Sequence, residues 1–259
     1  MPTGARLAIL AHLALGAATA LAYAVVRPPE PARFTGRRGI IGILGRWAYF
    51  VSGPLLRAAN AAGLTANGVT AIGTALTAAA GVAVGLGGFG WAFLLLVYGS
   101  WCDLLDGELA RRTGTQTKAG AFLDSNLDRV SEMAMFGGLA AAFPDRSGML
   151  WAVGALSASM MVSYTRARGE GLGVSCPTFG LERPHRVVML MAALLAASFV
   201  PAAAVLPLLE TTCALVALGA GGTALGRLWV IHQMLRHGEG AAAGGAQHGA
   251  PGAPPAGTP

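Results

Sequence analysis

The sequence predicts an all-α integral membrane protein: a six-helix transmembrane core preceded by a surface amphipathic helix, with one extra N-terminal transmembrane helix. Three observations predict it. Of 259 residues, 54% are hydrophobic and 12% charged, where a soluble domain carries about 25% charged residues. Apolar runs long enough to cross a bilayer follow one another along the chain, with Gly- or Pro-containing breaks between most of them. Basic residues gather at alternate breaks, the asymmetry that orients membrane spans.

Taken in order, 7 to 26 is an apolar run of about the 20 residues that a bilayer requires. Ala22-Tyr23-Ala24 has the form of a cleavage site, but the preceding segment carries only Arg6 and the run is long for a signal peptide, so an uncleaved helix is expected. The linker at 27 to 39 holds Pro28, Pro29 and Pro31, then Arg33, Arg37 and Arg38, and reads as irregular and basic. From 40 to 62, Ile41, Leu44, Trp47, Ala48, Val51, Leu55 and Leu56 recur mostly at three and four spacing, with Arg46 and Arg57 between them. That pattern is a helix lying in the membrane surface, with Pro54 a point for a kink.

Spans are then expected at about 65 to 86, 90 to 112, 119 to 143, 148 to 168, 185 to 207 and 211 to 235. With the first run they make seven. The division is thus 1–39 for the extra helix and linker, 40–236 for one membrane domain, and 237–259 for a Gly/Ala/Pro tail expected to be disordered. If 27 to 64 is cytoplasmic, the turns from Arg111 to Lys118 and Arg166 to Arg186 and the C-terminal end are cytoplasmic too, leaving only Arg6 and Arg146 of the 18 Lys and Arg outside. The expectation is a multi-pass protein of the cell membrane whose working face is the cytoplasmic one.

A net charge of +6 would point to nucleic acid in a soluble protein. Here the basic residues are scattered between apolar spans, which suits anionic headgroups and phosphates, and no nucleic-acid motif is present. Cys102, Cys176 and Cys213 form no paired framework and no C-x-x-C, so neither a disulfide nor zinc is implied.

The chemistry is concentrated between Asp103 and Asp128, in the pattern D-x2-D-G-x2-A-R-x8-G-x3-D-x3-D: Asp103, Asp106, Gly107, Ala110, Arg111, Gly120, Asp124 and Asp128. With Glu108 it holds five of the chain's 12 acidic residues, inside apolar spans where an unpaired carboxylate costs several kcal/mol. Asp103 and Asp106 at i,i+3 and Asp124 and Asp128 at i,i+4 each share one helix face. Two such faces packed together form a nest of oxygen ligands suited to a hard divalent ion, Mg²⁺ or Mn²⁺. Four carboxylates exceed what one Mg²⁺ takes from protein, which points to two ions clamping a phosphoryl group. Gly107 and Gly120 remove side chains where backbones or a ligand approach, and Arg111 offers a fork for a phosphate oxygen.

This pattern resembles the signature of the CDP-alcohol phosphotransferase family, integral membrane enzymes that move a phosphatidyl group from a CDP-linked lipid to an alcohol. All eight specified positions are met. The resemblance implies six spanning helices after a surface helix, Asp128 as general base, and contacts of Gly107 and Arg111 with the cytidylyl diphosphate. Leu64-Thr65-Ala66-Asn67 is similar to the family's L-T-P-N segment, which places Asn67 at the nucleotide pocket, with Ala66 where the family has proline.

A second constellation faces the same side. Ser163-Tyr164-Thr165-Arg166-Ala167-Arg168-Gly169-Glu170 closes one span and Glu182-Arg183-Pro184-His185-Arg186 opens the next, so several guanidinium groups with few acids nearby form a phosphate site. The pair resembles the S-Y-x-K-A-R-x-E and E-R-P-E-R segments of the bacterial phosphatidylinositol-phosphate synthase branch. That resemblance implies that Ser163, Arg166, Arg168 and Arg186, joined by Arg227 in the last helix, hold the phosphate of an inositol-phosphate acceptor. Arg166 replaces the branch's lysine and His185 its second glutamate.

The expected reaction is attack of a phosphorylated polyol's hydroxyl on the β-phosphorus of CDP-diacylglycerol, releasing CMP; the family suggests a homodimer. Glycerol 3-phosphate is the alternative acceptor. An intramembrane prenyltransferase also uses D-x-x-D carboxylates but does not demand Gly107, Ala110-Arg111 and Gly120 at these intervals. A cation transporter would explain the buried carboxylates and leave both arginine clusters unexplained.

Overall fold

The computed structural model describes residues 3–29, 39–176 and 178–247, and these form eight helices with no strand among them. They are α1 (Thr3–Val26), α2 (Ile40–Ala61), α3 (Ala66–Gly85), α4 (Phe89–Thr113), α5 (Lys118–Ala142), α6 (Arg146–Gly171), α7 (Arg183–Ala197) and α8 (Ala202–Gln247). The all-α expectation holds, and the first six helices fall within a few residues of the expected runs. Pro31, Arg33, Arg37 and Arg38 of the linker, and 248–259 of the tail, lie outside the described residues.

Short polar caps set the helix starts. Thr65, Thr117 and Asp145 accept hydrogen bonds from the backbone N–H of Gly68, Gly120 and Gly148, satisfying donors that the first turns of α3, α5 and α6 cannot. Gly114, at φ 66°, closes α4 in the left-handed conformation that a side chain disfavours.

Two expectations are corrected. The break expected between 207 and 211 lies instead at 198–201, so α7 is only 15 residues and Pro207 sits inside α8. Pro201 disfavours helical backbone at Val200, whereas Pro207, near the start of α8, forfeits a single bond of the ladder. The helix expected to end near 235 runs on to Gln247, although Gly238, Gly240, Gly244 and Gly245 are poor helix formers and nothing in the structure explains the extension.

Three helices are long and apolar enough to cross a membrane on those grounds alone, α1, α3 and α8 through Arg236. α4, α5 and α6 have the length, 25, 25 and 26 residues, but spend part of it on charged and hydroxyl side chains. α3 is the central wedge, packed along both α4 and α5, while α6 pairs with α8 and α7 bridges α4 to α8. Small residues permit this. A Cβ on Gly73 would lie 2.8 Å from that of Cys102 and 3.0 Å from the Gly99 carbonyl, and one on Gly138 would overlap the Gly81 carbonyl. The apolar core includes Leu94, Leu139, Leu194 and Val216, and its members Leu96, Phe136 and Leu190 line a cavity shared with Asp103, Asp106 and Asp128.

α2 docks on α4 through Tyr49, Ser52 and Leu56, with the Trp101 indole donating to Ser52 over 2.7 Å and Leu56 packed on Val69 and Leu109. Ile43, Leu44 and Leu55 stay exposed. The apolar stripe read from the sequence is therefore only partly the docked one, as expected of a helix with a second, lipid-facing surface. α1 buries only Ala5 and Ile9 and presents Leu7, Leu10, Leu15, Leu21 and Val25 outward. It touches the rest through Arg6 on the Ser198 carbonyl, His12 on the Tyr98 hydroxyl, and Tyr23 against Phe50.

Candidate active site

The four aspartates leave α4 and α5 on facing turns. Ligand oxygens of Asp103, Asp106 and Asp124 lie within 4.8 Å of one another, with Asp106 buried, Asp124 half-buried and Asp103 exposed. Asp128, one turn beyond Asp124, lines the same cavity as Asp103 and Asp106 and is bound to Arg183 at 2.8 Å. The spacing argument is thus met: two i,i+3 and i,i+4 faces converge.

α3 supplies a residue that the sequence argument missed. The Thr70 hydroxyl donates to Asp106 Oδ2 at 2.7 Å and so orients the most buried of the ligands. Asn67, on the first turn of α3, is exposed, with its Oδ1 3.4 Å from where a Cβ on Gly120 would sit. The motif glycines are not the ones that pack helices. A Cβ on Gly107 would meet nothing nearer than the Arg111 guanidinium at 3.5 Å, so that surface of α4 stays open for a ligand.

Arg111 is half-exposed and held in place. Glu108 accepts from Arg111 at 2.8 Å, from Arg112 at 2.9 Å and from the Tyr49 hydroxyl at 2.7 Å, so α2 braces the arginine expected at the nucleotide.

The expectation of guanidinium groups with few acids nearby is corrected. Arg186 is 1% exposed and spends all three of its nitrogens, two on Glu132 at 3.0 and 2.6 Å and one on the Leu181 carbonyl at 2.9 Å. Arg227 is 2% exposed, bonded to Glu182 at 2.6 Å and stacked over Phe179. Arg166 pairs with Glu170 at 2.9 Å, both half-exposed. Arg168 and the half-buried Ser163 complete the end of α6. The overlooked acid was Glu132, and a signal for it existed, since 124, 128 and 132 form one i,i+4,i+8 stripe.

Small residues on α8 position the arginine-bearing turn. Leu181 N–H donates to Thr223 at 2.8 Å, its side chain sits where a Cβ on Gly219 would be, and Phe179 lies 3.0 Å from the Cβ position of Gly226. Glu182 caps α7 without a side-chain bond to its backbone because its carboxylate is committed to Arg227. This arrangement sends Arg183, on the first turn of α7, into the nest, where its two terminal nitrogens reach Asp103 at 3.1 Å and Asp128 at 2.8 Å.

The donor set fits a hard divalent cation. It is all oxygen, it comes from two rigid helices, and Asp124 Oδ1 is buried with no hydrogen-bond partner, an atom whose desolvation only a ligand would repay.

Against this geometry, the model of the CDP-alcohol phosphatidyltransferase family matches residues 63–233. The chain belongs to that family. It is 39% identical over 137 residues to a phosphatidylinositol phosphate synthase of Streptomyces avermitilis, an alignment covering 51% of this chain and 56% of that protein, so the chain spans little more than half the length of this relative. The phosphatidylinositol phosphate synthase of Mycobacterium tuberculosis with CDP-DAG bound superposes with a TM-score of 0.63 at 30% identity, over 69% of this chain and 92% of that one. The same enzyme in complex with manganese and citrate gives 0.64 at 29%, over 70% and 88%. The family match begins beyond α1 and α2.

Proposed function

We propose that this protein transfers a phosphatidyl group from CDP-diacylglycerol to the hydroxyl of a phosphorylated polyol, inositol phosphate being the first candidate, with release of CMP. The convergence of Asp103, Asp106 and Asp124 within 4.8 Å, on the eight-residue family signature, carries the reading. Asp103, Asp106, Asp124 and Asp128 would hold two Mg²⁺ or Mn²⁺ ions, which when bound supply charge neutralisation at the diphosphate. The open surface at Gly107, together with Arg111 and Asn67, receives the cytidylyl diphosphate. Arg111 arrives oriented, because Glu108 and Tyr49 fix its plane. Asp128 takes the acceptor's proton as the hydroxyl oxygen bonds to the β-phosphorus and the bond to the CMP oxygen breaks.

The acceptor lies between Ser163, Arg166 and Arg168 on α6 and the first turn of α7. The Arg166–Glu170 pair is exposed and worth only about 0–1 kcal/mol, so a phosphate readily displaces Glu170. Arg186 and Arg227 contribute mainly by fixing the floor and the turn, since each already carries a carboxylate partner. The site opens to the cytoplasm, on the side of the basic turns, and the enzyme works as a homodimer in the bilayer.

The test is competition at equal concentration between inositol 1-phosphate, glycerol 3-phosphate, free inositol and serine, reading the phospholipid formed from CDP-diacylglycerol. Inositol phosphate is expected to win. A win for glycerol 3-phosphate keeps the phosphate logic and removes inositol, at the positions where Arg166 and His185 depart from the branch; a win for serine or free inositol removes both.

A further inference from the structure

Two arginines at the start of α7 are bound in contrasting ways. Arg186 has its three nitrogens satisfied and is 1% exposed, as befits a permanent anchor. Arg183 spans Asp103 and Asp128 from a side chain that is 25% exposed, and its Nε is buried with no partner. The anchoring Arg227 also leaves its Nε unpartnered, so what sets Arg183 apart is that both of its carboxylate partners belong to the metal nest. Arg183 also stands on the first turn of α7, where the helix dipole disfavours a cation. Its position there is supported by the aspartates and by little else.

We propose that Arg183 is a displaceable counter-ion occupying the second cation position of the nest, between Asp103 and Asp128. This rests on the metal reading of the aspartates given above. Asp103, Asp106 and Asp124 already converge without it and take a first divalent ion directly. Asp128 becomes free for a second ion only when the Arg183 guanidinium leaves. The two positions are then unequal: the first binds tightly, and the second binds only by competing with an internal cation that has no entropy of association to lose. In the metal-free protein the same arginine keeps Asp103 and Asp128 from repelling each other and opening α4 from α5.

Manganese binding by the purified full-length protein tests this, titrated by electron paramagnetic resonance alongside thermal melting in EDTA and in Mn²⁺. Wild type is expected to show one tight and one weaker site. In Arg183→Met the weaker site should tighten by about tenfold or more, a charged hydrogen bond being lost from the competing state, and the gain in melting temperature from Mn²⁺ should exceed that of wild type. Arg183→Lys, which keeps the charge, should lie between them. Identical isotherms in wild type and both variants would overturn the proposal, as would two equal sites in wild type, a result that needs no variant to fold. If no protein binds Mn²⁺, the metal reading itself fails.

Discussion

Asp103 and Asp128 share a guanidinium, while Asp106 answers to Thr70 and Asp124 keeps an unpaired oxygen. Under the proposed metal mechanism every one of them is needed, so converting any one of Asp103, Asp106, Asp124 or Asp128 to Asn should nearly abolish CMP release while the protein still inserts and folds. EDTA should do the same to wild type; sustained turnover in EDTA would sink the metal mechanism. The arginines divide by burial. Arg166→Ala and Arg168→Ala should raise the KM for the acceptor by roughly ten- to a hundredfold, and Arg111→Ala that for CDP-diacylglycerol, each by loss of a charged hydrogen bond. Arg186→Met should act differently, since it strands Glu132 in the interior at a cost of about 3–5 kcal/mol. The double variant Arg186→Met with Glu132→Leu should recover most of that in a melting experiment, and its residual activity then reports whether Arg186 touches the acceptor as well.

Among the elements, α3 is placed by what it lacks. Gly81 and Gly138 let its backbone meet that of α5, and Gly73 and Gly99 let it meet α4, which is what brings Thr70 within reach of Asp106. Gly81→Leu or Gly138→Leu should separate α3 from α5 and cost well over 1–3 kcal/mol, the usual range for overpacking, read as loss of folded protein in detergent. α1 is the opposite case. With two buried residues and three polar or aromatic contacts, its removal with the linker, residues 1–39, should leave a folded domain whose turnover stays within about twofold of the full chain, a span smaller than one typical hydrogen bond. Inactivity of a well-folded 40–259 chain would show instead that α1 supports the site through Tyr23, Phe50 and the surface helix.

For the molecule as a whole, the working side follows from where the site opens. The aspartates, the Glu108 network and the α6–α7 turn lie at one end of the bundle, towards which the core residues Leu96, Phe136 and Leu190 extend to line the cavity. Thr115→Cys and Gly173→Cys, at that end, should react with an impermeant thiol reagent only from the cytoplasm, whereas Gly87→Cys and Ser147→Cys should react only from outside, in a background whose own cysteines are replaced. The reverse pattern would invert the orientation inferred from the basic residues.

Much of this was open to a reader of the sequence, because its strongest signals are local. Apolar runs set six of eight helices nearly to the residue, and the 3- and 4-residue spacings of the aspartates specified that each pair shares a face, since helix geometry alone decides that. Partners across the bundle are a different kind of fact. Which acid neutralises Arg186, that Thr70 on α3 bonds Asp106, that Gly81 and Gly138 and not Gly107 and Gly120 bring backbones together, and that Arg183 reaches Asp103 and Asp128 are all matters of approach between helices far apart in the chain. The break at 198–201 belongs to the same group, because two prolines six residues apart offer equal local signals and only packing chooses between them. Composition and periodicity pointed to a membrane protein and to six of the eight helices, and the acidic pattern to the chemistry proposed for the site; tertiary structure decided which charges find each other, because pairing depends on distances that no local spacing contains.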